Sequence, residues 1–176
     1  MSLDVVPVKK LEAAKRQLHT AITLWFADTD PVSVHTLACA AQQIVHDINT
    51  VKKGSDLLLD SIVIKEEFRR EYCNEMRNAM NFFKHANNDP DLNGTIEFSP
   101  TITDLFILFS IIGIERFGER LSKTSVAFLL FYVTKNPHLV AKEFSDHPRI
   151  KNAANIPVVS KREFFDQFLL VWKEHW

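Results

Sequence analysis

Four times in this chain a helix-opening signal stands just ahead of a run whose apolar residues return every three or four positions. Asp30-Pro31, Ser99-Pro100, Ser122-Lys-Thr-Ser and Ser160-Lys-Arg-Glu163 each offer a side-chain oxygen to the unpaired amides of a first helical turn;. Proline fits the first helical position because the amide it lacks has no intrahelical partner there. A chain punctuated in this way packs helix on helix. Four glycines and seven prolines in 176 residues leave little material for long linkers, and 46% hydrophobic content supplies one sizeable core;. The expectation is one all-α domain over 1–176: a bundle of about six helices, its core at about 8–144, with a C-terminal docking helix at about 160–175.

In chain order, Leu11, Ala14, Leu18, Ile22 and Trp25 or Phe26 share one side of a first helix, Val8 to Phe26;. A second helix runs from Pro31 to about Lys53, with Gly54 in the usual C-terminal place;. Ser55 to Ile64 reads as a short helix or a loop. A third helix, Lys65 to His85, has Phe68, Tyr72, Met76, Ala79 or Met80, and Phe83 on its apolar side. Asn87 to Gly94 is dense in turn formers, and Thr95 to Phe98 reads as extended loop;. A fourth helix, Pro100 to Leu121, is apolar most of the way round between Leu105 and Ile114, which marks it as the central, most buried helix;. Val126 to Val133 suits a buried strand as well as a helix, and the flanking helices favour helix. Pro137 to Phe144 reads as a short helix and 145–159 as a surface connection. Phe164, Phe165, Phe168, Leu169 and Trp172 line the last helix, which must dock on its own core or on a second copy.

The chemistry is bounded first by exclusion. A net charge of −1 and a pI near 6.7 give no bulk attraction to nucleic acid or membrane, so no DNA is expected and an RNA would need a local patch;. The most apolar run is about half the roughly 20 residues of a spanning helix. Cys39 and Cys73 sit among apolar neighbours and read as buried thiols; with no signal-peptide pattern at the start, the expected location is the cytoplasm;. No glycine-rich phosphate loop, GxSxG elbow, HExxH or Glu-x-x-His pair occurs, so neither cofactor nor metal is expected;. His35 and His46 lie eleven positions apart, roughly 16 Å of helical rise, and cannot share one ion;.

What remains is a stripe. Arg77, Asn81 and His85 fall on one helical face at four-residue spacing, with Asn78 and Lys84 beside them;. Arginine presents a planar fork of donors to phosphate, and histidine gives or takes a proton near neutrality. In RNA cleavage such a histidine would take the 2′-hydroxyl proton or protonate the leaving oxygen while the arginine offsets charge on the phosphate. A structural reading stands beside it: Arg77 pairs with Glu75 or a neighbouring helix, Asn81 caps or bridges, and His85 favours the helix C-terminus. His35, Gln42 and His46, with Cys39 among them, form a second stripe that either binds a ligand or faces another polar element;.

Asp30-Pro31-Val32 with His35-Thr36-Leu37-Ala38, and Asn81-Phe82-Phe83-Lys84-His85-Ala86 with Asp89-Pro90, resemble the motifs of a family of uncharacterised bacterial proteins. The helical layout resembles the HEPN superfamily over roughly Val8 to Leu121. That resemblance implies an all-α bundle, often a homodimer, and in many members a metal-independent ribonuclease of toxin, phage-defence or CRISPR systems. The superfamily motif is an arginine, a polar residue, and a histidine after four to six intervening positions. Arg77-Asn78 and His85 are similar to it, with seven residues between Arg77 and His85. The longer spacing fits either a displaced site or a member that keeps only the fold. The functional expectation is therefore a HEPN-like bundle acting on RNA through Arg77, Asn78 and His85. The alternative is a non-enzymatic interaction or ligand-binding module whose polar stripe is structural.

Overall fold

The computed structural model describes residues 5–54, 57, 66–85, 93–139 and 160–175. They form six α-helices: α1 (Lys10–Phe26), α2 (Pro31–Val51), α3 (Glu66–Lys84), α4 (Ile102–Arg116), α5 (Lys123–Lys135) and α6 (Lys161–His175). A short 3₁₀ turn, Pro137–Leu139, follows α5, and no strand occurs among the described residues. No described helix is long and apolar enough to cross a membrane. The protein is thus an all-α helical bundle.

The antiparallel pair of α1 and α2 is the frame. Alanines make it tight: Ala14 and Ala21 on α1 and Ala38 and Ala41 on α2 are fully buried, so the two backbones approach closely. The link between them is four residues of tight backbone, Ala27 to Asp30. Asp28 takes φ +48°, its amide bonds the Trp25 carbonyl, and the Thr29 amide reaches back to Leu24, each at 3.3 Å. This pattern satisfies the last carbonyls of α1 with a left-handed residue just past its end. Asp30 then opens α2 as expected, its carboxylate accepting from the Ser33 amide at 2.8 Å ahead of Pro31;.

α4 lies on the other side of α2, and Gly113 sets the separation. A Cβ there would come within 2.2 Å of Val45 Cγ1. Two expectations are corrected here. The helix does not fill Pro100 to Leu121: it begins at Ile102 after a tight turn and ends at Arg116, because Gly118 turns left-handed at φ +79° and its amide caps the Glu115 carbonyl. Nor is it the centre of packing, although it is as enclosed as expected: seven of its 15 residues are buried and only Glu115 and Arg116 are exposed. α2 is the hub, packed on α1, α4 and α3.

At the end of α2 the left-handed residue is Lys53, φ +58°, one position before the expected Gly54. Gly54 matters for another reason: its amide bonds the Asn49 carbonyl, and a side chain there would strike Asn49 Oδ1 at 2.2 Å. Val126 to Val133 is helical, inside α5, which Ser122 caps through the Ser125 amide.

α6 docks on its own core. Ser160 Oγ accepts from the Glu163 amide and donates to its carboxylate, an N-cap without the reciprocal backbone bond of a full capping box, and this start aims Phe164 and Phe168 inward;. Phe165 stacks on Phe26 at 4.4 Å, while Phe131 meets Phe164 edge-on at 5.2 Å. Fully burying rings such as Phe26 and Phe164 contributes roughly 1.5–3 kcal/mol each before ordering costs;. The expected extended loop at Thr95 to Phe98 is present. Most of Ser55 to Ile64, the turn residues 86–92 and everything expected at 140–159 lie outside the described residues; Leu57, within the first, is fully buried.

Candidate functional site

α3 buries Met76, Ala79 and Met80 and packs on α2. Its opposite face exposes Arg70, Asn74, Asn78, Asn81 and Lys84. His85 follows the last helical residue, yet its amide still bonds the Asn81 carbonyl at 3.0 Å, which keeps it exposed and on the helical register. Lys84, Arg77, Asn81, His85 and Asn78 therefore share about 120° of circumference, and Arg77 and His85 stand about 12 Å apart along the axis with Asn81 between them.

Arg77 is half-buried. Its Nε is closed off from solvent with no hydrogen-bond partner, and no ion pair forms to it among the described residues. The pairing with Glu75 that a structural role would use is not made. Asn81 likewise makes no side-chain cap or bridge among those residues.

The α2 stripe is placed differently. His35 is completely buried, its Nδ1 2.9 Å from Thr103 Oγ1 and its Nε2 3.2 Å from Cys39 Sγ. Phe98, Phe106 and Phe83 ring the imidazole at 4.8, 5.3 and 6.0 Å. Burial, with a smaller push from the Lys84 charge, lowers His35 to about 4. Burial also pushes the Cys39 thiol up to about 12. Both groups are neutral at pH 7, so the pair is no thiolate–imidazolium nucleophile; it is a polar tie between α2 and α4. Gln42 is buried beside this tie and its Nε2 has no hydrogen-bond partner, while His46 is half-buried.

One site escaped the sequence reading. Where α1 ends and α2, α4 and α6 begin, a half-open cavity of about 350 Å³ is lined by Trp25, Asp28, Thr103, Asp104 and Lys161, with apolar walls from Pro31, Val34 and Pro100. The Trp25 indole N–H donates to Asp104 Oδ1 at 2.8 Å. Lys161 Nζ sits 4.1 Å over the Trp25 ring and 3.1 Å from Asp28 Oδ1. Burial raises the pKa of Asp104, opposed by the indole bond and the Lys161 charge. Asp28 and Lys161 read in sequence only as helix punctuation, and nothing local announces that residues 25, 104 and 161 meet.

Among the described residues no three His, Cys, Asp or Glu side chains converge to hold a metal ion. Compared with known protein families, curated proteins and solved structures, the chain matches none.

Proposed function

We propose that this protein is a HEPN-like helical-bundle protein that acts on RNA at the exposed face of α3, as a metal-independent endonuclease. The observation that carries this reading is the state of Arg77: it has no hydrogen-bond or ion-pair partner among the described residues and lies on one face with exposed Asn78, Asn81 and His85. A structural seam would have spent these groups on neighbours. Instead a guanidinium remains for phosphate, and an imidazole two turns away remains for proton transfer. Asn81, between them, and Lys84, beside them, add hydrogen bonds and attraction to a strand laid along the helix.

His85 takes the 2′-hydroxyl proton or gives one to the leaving oxygen, and Arg77 offsets the charge on the phosphate. The separation of about 12 Å asks the strand to run along α3, or a second copy to bring its own α3 opposite, as a homodimer does. The test is cleavage of RNA by purified protein in chelator, with His85→Ala and Arg77→Ala as controls for the site.

The second reading, a non-enzymatic ligand-binding module, is favoured by a separate observation: the cavity at Trp25, Asp104 and Lys161 is lined, among the described residues, by none of α3.

A further inference from the structure

We propose that this cavity is a binding site for a small organic ammonium ion, whose charge takes the place that the Lys161 ammonium holds between the Trp25 ring and Asp28. The inference is independent of RNA chemistry on α3, which contributes no described residue to the lining.

The geometry is that of a cation box. An ammonium 4.1 Å above an indole lies within the roughly 6 Å at which a ring face attracts a cation;. The ring is held in place, buried to 8% exposure, by its N–H bond to Asp104. Asp28 closes one side at 3.1 Å. Asp104 uses only Oδ1 toward Trp25, which leaves Oδ2 for a guest. Among the described residues two carboxylates face one ammonium across the cavity, so that lining is net negative once Lys161 swings out, and its side chain is already one-third exposed at 33%. Pro31, Val34 and Pro100 suit the alkyl part of such an ion. About 350 Å³ lies at the lower end of the roughly 300–1,000 Å³ of small-molecule pockets;.

Three helices begin here, and helix N-termini usually favour anions. In this cavity most of their donors are spent. The Asp30 carboxylate closes the start of α2, and Ser160 takes the Glu163 amide of α6. The Ile102, Thr103 and Asp104 amides turn back to the carbonyls of Ser99, Pro100 and Thr101. The one cation of the lining among the described residues, Lys161, is already neutralised by Asp28. A cation gains more here than an anion.

Lys161 is then a tethered competitor, present at an effective concentration in the millimolar range. A free ammonium ion binds the native protein weakly, and removal of the lysine charge strengthens it. The test is a titration of full-length protein with choline, its neutral isostere 3,3-dimethylbutan-1-ol, and butyrate, read by the Trp25 indole N–H resonance. Choline is expected to shift that resonance at millimolar concentrations, about tenfold or more tightly in Lys161→Met and more weakly in Asp104→Asn; the alcohol and butyrate are expected to do neither. The proposal is overturned if Lys161→Met fails to tighten choline binding, if the alcohol binds equally well, or if butyrate binds the native protein and is lost in Lys161→Met.

Discussion

The Trp25 indole N–H and the Asp104 carboxylate, 79 positions apart, meet at 2.8 Å and join the last turn of α1 to the first turn of α4. One oxygen thereby fixes a ring that also packs edge-on against Phe26, Phe128 and Phe131. The same bond orients the ring face that Lys161 covers.

That bond separates two substitutions of one residue. Asp104→Asn keeps an oxygen for the indole and removes a charge whose burial is unfavourable, so stability at pH 7 is expected to hold or rise, within about 1 kcal/mol. Asp104→Ala leaves the indole N–H without its partner and is expected to cost about 1–3 kcal/mol. Urea midpoints give the ranking, Asn at or above the native protein and Ala below both; Ala at or above Asn would contradict it.

His35 makes the fold sensitive to acid. Its folded value near 4 lies below the ordinary 6.5, so its contribution is present above pH 6.5 and is lost as pH falls toward 4;. The loss is on the order of 3 kcal/mol over that window. Asp104 works in the opposite sense: its raised value gives a contribution complete below its ordinary 3.8 and lost as pH rises through the folded value. Asp30 and Glu119, held below the carboxylate range by bonds to Ser33 and Lys15, act only at lower pH. Unfolding curves between pH 7.5 and 4.5 in an Asp104→Asn background are therefore expected to fall steeply with His35 present. With His35→Gln they are expected to start lower and run flatter; parallel curves would contradict the assignment.

Gly113→Ala tests the α2–α4 contact. The new methyl group would fall 2.2 Å from Val45 Cγ1, on a branched side chain with little room to yield;. A loss of about 1–3 kcal/mol is expected, and Val45→Ala in the same chain should recover part of it. An unchanged thermal midpoint for Gly113→Ala alone would show that the helices part freely.

Helix existence was legible wherever local chemistry decides it. Asp30, Ser122 and Ser160 cap α2, α5 and α6 as their side chains predict. Ends were harder, because left-handed turns do not always choose glycine: Asp28 and Lys53 take that conformation, while Gly54 serves close packing instead. The exposed α3 stripe could be read from four-residue spacing, since its groups lie on one helix. The cavity could not, because Trp25, Asp104 and Lys161 come together only through tertiary packing. His35 and Cys39 had the right spacing to touch, but the spacing carried no sign that Phe83, Phe98 and Phe106 would seal them in.

The measurement closest to the central claim is cleavage of total cellular RNA by the purified protein in excess chelator, beside His85→Ala and Arg77→Ala. The account predicts discrete cuts by the native protein and a loss of about 100-fold or more in rate for each variant, with helicity unchanged. Native protein that leaves RNA intact, or cuts made equally well by both variants, would contradict it.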